Sequence, residues 1–216
     1  MAPTQKPTIL IVEDDVQLRL LLSTILTQSG YSVRSAEDGF SALAEIRNQV
    51  PDLILSDLYM SGMSGFEFLS VVRRRFTAVR VIAMSSAFSG GEVPAGIAAD
   101  AFFEKATSVV DLLHMVERMT RPDALPSVHD PSALAPLWID APTGESYVMM
   151  TCPECLRPFP QVLGKAITPI QEAGCVYCRS LVHYAIVQPI VPAPVQAFQR
   201  SPDAESSMPL SVSALS

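Results

Sequence analysis

Four cysteines, Cys152, Cys155, Cys175 and Cys178, are all the chain has, and they form two C-x2-C pairs separated by nineteen residues, 156 to 174. A C-x2-C turn aims two thiolates at one ion, and two such turns complete a tetrahedral sulfur site; this spacing is that of structural zinc. Four sulfur ligands leave no open position for catalysis. Disulfides need an oxidising compartment. Met1 to Pro7 carries one lysine and no long apolar region before Glu13, Asp14 and Asp15, so it does not read as a secretory signal. The expected compartment is the cytoplasm, and two pairs at this spacing disfavour a redox C-x2-C.

A second group of reactive residues lies in the first 120 positions, each just after a short apolar run. Glu13 and Asp14 follow TILIV, Asp57 follows LILS, Ser85 follows VIAM and Lys105 lies just beyond Ala101 to Phe103. Those runs read as strands: Thr8 to Val12, Tyr31 to Ala36, Leu53 to Ser56, Val81 to Met84 and Ala101 to Phe103. Between them, apolar residues recur at helical spacing. Leu18, Leu21, Leu22, Ile25 and Leu26 stop at Gly30; Phe40, Leu43, Ala44 and Ile46 stop before Pro51; Phe66, Leu69 and Val71 or Val72 mark a third helix. Val109, Leu112, Leu113, Val116 and Met119 line a last, amphipathic one. Apolar strands alternating with such helices imply a parallel sheet covered on both faces, whose sites lie beyond the carboxyl ends of the strands.

Three acids, one hydroxyl and one lysine would therefore meet on one rim. Two carboxylates 4 Å apart repel by roughly 4 kcal/mol at an effective dielectric of about 20. A hard divalent cation relieves this, and Mg²⁺, which takes one or two carboxylates and completes its shell with water and phosphate oxygens, fits best.

The segments ILIVEDD (Ile9 to Asp15) and DLYMSGMSGFEFL (Asp57 to Leu69), with Ser85 and Lys105, resemble the receiver domain of two-component response regulators over about residues 7 to 120. The resemblance implies an α/β fold, a doubly wound five-stranded parallel sheet of order 2-1-3-4-5. It implies that Asp57 accepts a phosphoryl group from a sensor histidine kinase or phosphotransfer protein. Mg²⁺ would be held by Asp14, Asp57 and the backbone carbonyl of Tyr59, with Glu13 acting through water. Lys105 would pair with phosphoryl oxygens and Ser85 would hydrogen-bond them. Phe102 stands at the position of the aromatic switch on strand five. The protein would be a signalling switch that catalyses only its own phosphoryl transfer and dephosphorylation, not an enzyme. Ser61 and Ala106 replace prolines usual in the family, the second of which follows a cis bond. Gly90, Gly91, Pro94 and Gly96 leave one or two turns, or none, for helix four, and dimerisation through that face stays open.

Fourteen of the 18 prolines follow residue 120, which limits regular structure there. Residues 121–146 read as a proline-rich linker bearing an apolar island, Leu134, Leu137, Trp138 and Ile139; a lone tryptophan in a linker more often docks than floats free. Residues 147–187 resemble a zinc ribbon, a small C-terminal β module flanked by strand-like Ser146 to Thr151 and Leu181 to Val187. Many ribbons place glycine after the second cysteine of each pair, where the backbone is left-handed; Leu156 and Arg179 stand there instead. Residues 188–216 read as a disordered tail.

The net charge of −7 has no basic excess in either half, and no apolar run approaches the ~20 residues that cross a bilayer. Membrane is excluded and nucleic acid disfavoured. The reading is a phosphoaspartate-accepting regulator that signals through protein contacts, the partner of its zinc module being unidentified. The alternatives are a DNA-binding transcription regulator using the ribbon and a phosphorylation-independent zinc- or redox-sensing adaptor.

Overall fold

Short apolar runs alternate in this chain with helices that each begin at a capping residue, and the sheet follows from that alternation. The computed structural model describes residues 6–87, 97–121, 136–140, 146–163 and 170–187. Strands β1 (Thr8–Val12), β2 (Ser32–Ala36), β3 (Leu53–Asp57), β4 (Arg80–Ser85) and β5 (Ala101–Glu104) form one parallel sheet in the order β2-β1-β3-β4-β5, as expected. Side chains alternate between its faces. Ile9, Ile11, Leu53, Leu55, Ile82 and Met84 pack towards α1 (Val16–Gln28) and α4 (Val109–Thr120). Leu10, Val12, Ile54, Val81 and Ala83 pack towards α2 (Gly39–Asn48) and α3 (Gly65–Arg75).

Capping is explicit at each helix start. Asp15 accepts from the N–H groups of Gln17 and Leu18, Asp38 and Ser41 make a reciprocal capping box, and Ser64 and Ser108 cap α3 and α4. Of the three consecutive acids, Asp15 is thus committed to α1, and the two backbone hydrogen bonds hold its carboxyl below the usual range.

Helix α3 departs from the single apolar stripe expected of a surface helix. Every residue from Gly65 to Arg73 is buried, because a second layer covers its outer face. That layer consists of β6 (Leu137–Asp140), β7 (Tyr147–Thr151), β8 (Pro158–Val162), β9 (Gln171–Gly174) and β10 (Leu181–Val187), arranged as a sheet β6-β10-β9 and a hairpin β7-β8. Leu137, Ile139, Val148, Met150, Phe159, Val182 and Tyr184 continue the core begun by Phe66, Phe68 and Val72.

This layer changes several expectations. Leu137–Asp140, read as linker, is a strand running parallel to β10; the backbone N–H of Trp138 donates to Ser70 Oγ on α3 at 3.1 Å, and its half-buried side chain packs against the core, so the tryptophan is docked. Of the basic run Arg73 to Arg75 at the end of α3, Arg73 is buried, ion-paired with Asp100 and bonded to Val79 O at 2.9 Å. Arg74 and Arg75 instead reach Glu154 of the outer layer. The region expected to hold helix four, the central part of the linker and the tail (88–96, 122–135 and 188–216) lie outside the described residues.

Candidate functional site

The carboxyl ends of β1, β3, β4 and β5 bring Glu13, Asp14, Asp57, Ser85 and Lys105 to one rim. Ligand oxygens of Glu13, Asp14 and Asp57 all lie within 4.8 Å of one another. Oxygens bound to one Mg²⁺ at about 2.1 Å lie roughly 3–4.2 Å apart, so this all-oxygen donor set is of the right chemistry and close to the size that ion needs. Lys105 Nζ lies 2.7 Å from Asp57 Oδ2, 2.9 Å from Glu13 Oε1 and 2.8 Å from Glu13 Oε2. The contact to Oε2 is an ion pair without hydrogen-bond direction, so the ammonium sits against both oxygens of the Glu13 carboxylate.

Electrostatics follow from this crowding. Burial pushes the Glu13 carboxyl above its usual range; the Lys105 hydrogen bond opposes this and the Asp57 charge adds to it. Burial of Lys105 works to lower its pKa, but its bonds to Asp57 and Glu13 outweigh that and the value is raised. The lysine is a cation held between two buried acids.

The loop after Asp57 is shaped by backbone donors. Tyr59 N–H points at Asp57 Oδ1 over 3.3 Å and Ser61 N–H at Asp14 Oδ2 over 3.4 Å. A proline at 61 would have no N–H to give, so the departure at Ser61 adds a donor to the acidic cluster. Gly62 has φ +77, and at Gly65 a Cβ would lie 1.9 Å from Asp57 O. The spacing of Gly62 and Gly65, three apart shortly after Asp57, is the sequence signal of this tight loop.

Ser85 is fully buried and its Oγ accepts from Ala87 N–H at 3.0 Å. Phe102 is buried in the core shared with α3. Lys105 N–H donates to Ser85 O at 3.0 Å, tying the end of β5 to the end of β4, and no described peptide bond, Lys105–Ala106 included, is cis.

The four cysteines come together at the far end of the outer layer. Cys152 Sγ lies 3.6 Å from Cys178 Sγ and Cys155 Sγ 3.7 Å from Cys175 Sγ, with all four sulfurs within 4.8 Å. A Zn–S bond of about 2.3 Å gives a tetrahedral edge of about 3.8 Å, so the sulfurs could hold zinc. Each C-x2-C is a turn of the same form. Leu156 N–H donates to Cys152 O and Arg179 N–H to Cys175 O, and both residues have positive φ, 57° and 64°. Burial pushes the Cys152 thiol up to about 12, while the Ser180 hydroxyl and N–H bring the exposed Cys178 down to about 6.

Residues 9–117 match the family model described as response regulator receiver domain. The nitrogen assimilation regulatory protein NtrX of Azorhizobium caulinodans is 35% identical over 117 residues, 51% of this chain and 25% of that protein. The DNA-binding response regulator MtrA of Mycobacterium tuberculosis is 30% identical over 142 residues, 64% of this chain and 61% of that one. The chain therefore spans less than two thirds of these curated relatives. Among solved structures, chemotaxis response regulator CheY4 of Vibrio cholerae superposes with a TM-score of 0.50 at 28% identity, covering 53% of this chain and 99% of that one. A chain of the complex between histidine kinase ThkA and response regulator TrrA superposes with a TM-score of 0.50 at 27% identity, covering 54% of this chain and 100% of that one. No helix among the described residues is long and apolar enough to cross a membrane. Through residues 9–117 the chain belongs to the response regulator receiver domain family, whose members are signalling proteins.

Proposed function

We propose that Asp57 is the phosphoacceptor of a two-component response regulator and that the four-cysteine module, closed by zinc, carries its output through protein contacts. The observation that supports this most directly is the placement of Lys105 Nζ 2.7 Å from Asp57 Oδ2 and against Glu13, a cation poised where equatorial phosphoryl oxygens would sit. One oxygen of Asp57 attacks phosphorus in line as the bond to the donor histidine nitrogen breaks. Mg²⁺ on Asp14, Asp57 and the Tyr59 carbonyl, with Glu13 acting through water, would neutralise charge on the transferred group. Lys105 leaves its contacts with the two acids for the phosphoryl oxygens. The Ser85 hydroxyl turns from Ala87 to the new acceptor, and Phe102 repacks beside it.

The partner that supplies the phosphoryl group is a sensor histidine kinase or phosphotransfer protein, by analogy with the ThkA–TrrA complex. The proposed division is a receiver over 7–120, a connecting segment over 121–146, a zinc module over 147–187 and a tail beyond. For the module, protein contact is favoured over DNA by its exposed surface, where Tyr147, Met149, Val162, Val176 and Tyr177 outnumber basic side chains.

Incubation with a small phosphodonor and Mg²⁺ tests the central point. One phosphoryl group should add to the chain and none to Asp57→Ala; an intact mass unchanged in both would exclude the reading. Binding to mixed-sequence DNA with a steep salt dependence would replace protein output by DNA binding.

A further inference from the structure

Helix α3 is fastened to Asp57 at its first residue and to the outer layer that carries the cysteines along the rest of its length. Gly65 has no room for a methyl group: a Cβ there would lie 1.9 Å from Asp57 O and 2.7 Å from Leu58 Cα, while Gly65 N–H donates to Leu58 O at 3.0 Å. If the backbone after Asp57 moves, the helix start must move with it. Two residues on, Glu67 accepts the N–H of Thr151, the residue immediately before Cys152. At the next turn Ser70 Oγ accepts the Trp138 N–H. At the last turn Arg74 Nε lies 3.2 Å from the Glu154 carboxylate and Arg75 donates to Glu154 O at 2.7 Å. Glu154 lies inside the first C-x2-C turn.

The apolar packing between these polar ties is continuous, from Phe66 and Phe68 to Met150 and Phe159. A packed core of this kind shifts between discrete arrangements and does not absorb small displacements gradually. Two ligands that each bias one shared element are coupled, and the coupling is reciprocal.

We infer that α3 couples the two sites, so that zinc on Cys152, Cys155, Cys175 and Cys178 and a phosphoryl group or its mimic on Asp57 alter each other's binding. This rests on the function proposed above for both sites. It makes the module a participant in the switch, with metal loading able to set how readily Asp57 holds its phosphoryl group.

The test uses the full chain. Zinc affinity is measured by competition with a chromogenic chelator, without and with Mg²⁺ and beryllofluoride as phosphoryl mimic. Beryllofluoride affinity is measured by fluorine NMR on zinc-loaded and zinc-stripped protein. Each affinity should change by about 5-fold or more, by the same factor in both directions. A factor of one, with both ligands bound, overturns the coupling and leaves the proposed function standing. Failure of zinc or beryllofluoride to bind at all overturns that function and the coupling with it. Changing Arg74→Ala and Arg75→Ala together cuts the two ties to Glu154, leaves every proposed ligand in place and should lower the factor; adding Glu67→Ala should bring it towards one, and a factor undiminished in the triple variant overturns α3 as the carrier.

Discussion

Glu67 of α3 accepts the backbone N–H of Thr151 in a contact where both residues are closed to solvent, 4% and 2% exposed. Thr151 stands opposite Pro158 in the β7-β8 hairpin, but the N–H groups of successive strand residues point to opposite sides, and it is Cys152 N–H that donates across to Arg157 O, at 3.1 Å. The Thr151 donor therefore turns away from β8, and a carboxylate from the receiver meets it. The acid is there because the module covers it.

That contact sets a first prediction. Burial raises the Glu67 carboxyl above its ordinary 4.5, and the Thr151 hydrogen bonds only partly offset this. A raised folded pKa means the native state binds the proton more tightly than the unfolded chain. Its stabilising effect is complete below 4.5 and is lost as pH rises through the folded value. Glu67→Gln keeps an acceptor without the charge. Its stability relative to the parent, from urea unfolding of zinc-loaded protein, should rise with pH across that window and then level off. Glu67→Ala should lose about 1–3 kcal/mol at neutral pH, because the Thr151 donor is left buried without a partner.

Gly65→Ala and Gly39→Ala make a second, paired prediction. A Cβ at Gly65 meets backbone atoms of Asp57 and Leu58, whereas one at Gly39 meets only the Met63 side chain, at 2.8 Å. Backbone cannot yield and a methionine can. Gly65→Ala should cost about 3 kcal/mol or more and abolish phosphoryl uptake, while Gly39→Ala should cost roughly 1 kcal/mol and leave uptake intact. Thermal melts and intact mass after phosphodonor treatment check both.

The sheet order is legible because β1, β3 and β4 each hold an unbroken apolar run, ILIV, LIL and VIAM, closed by polar residues, so periodicity and punctuation agree. The meeting of Glu13, Asp57 and Lys105 follows from that order. What the sequence hid was the second layer. Phe66, Phe68, Leu69, Val71 and Val72 are too many for one stripe of an eleven-residue helix, which is the mark of two-sided burial, but they read naturally as one face plus noise. Pro158 and Pro160 concealed β8, since proline argues against a strand unless the strand has an open edge, as β8 does. Leu137–Asp140 was hidden for a similar reason: four residues among prolines become a strand only once β10 is beside them.

Lys105→Ala should separate charge neutralisation from the rest of the fold. Without the ammonium, Glu13 and Asp57 face each other buried and unpaired, a loss of about 2 kcal/mol or more in metal-free buffer. Mg²⁺ should raise the melting temperature of the parent, and raise that of Lys105→Ala by more, because the cation replaces the missing charge. Equal shifts in both proteins would place the ion away from these acids.

Arg179→Gly tests the strain in the second cysteine turn. Arg179 and Leu156 both hold left-handed backbone, which costs a side-chain-bearing residue roughly 1–2 kcal/mol relative to glycine. Arg179 is exposed, so glycine relieves that cost and loses little, and the module should gain up to about 1 kcal/mol. Leu156 packs against the shared core, so Leu156→Gly should gain nothing or destabilise. Chemical denaturation of the zinc-loaded variants distinguishes the two.

The cysteines should differ in reactivity when no metal holds them. Thiolate, not thiol, is the nucleophile, and Cys178 is exposed with its pKa lowered to about 6, chiefly by the Ser180 hydroxyl. Cys152 is buried with its pKa pushed up to about 12. Near neutral pH, brief alkylation of the zinc-stripped chain should label Cys178 well ahead of Cys152, as read by peptide mass mapping. Ser180→Ala should slow labelling at Cys178, since the hydroxyl that stabilises its thiolate is gone. Zinc should protect all four cysteines, because its bonds occupy the sulfur lone pairs that alkylation requires. Uniform labelling with and without zinc would mean that the sulfurs do not share an ion.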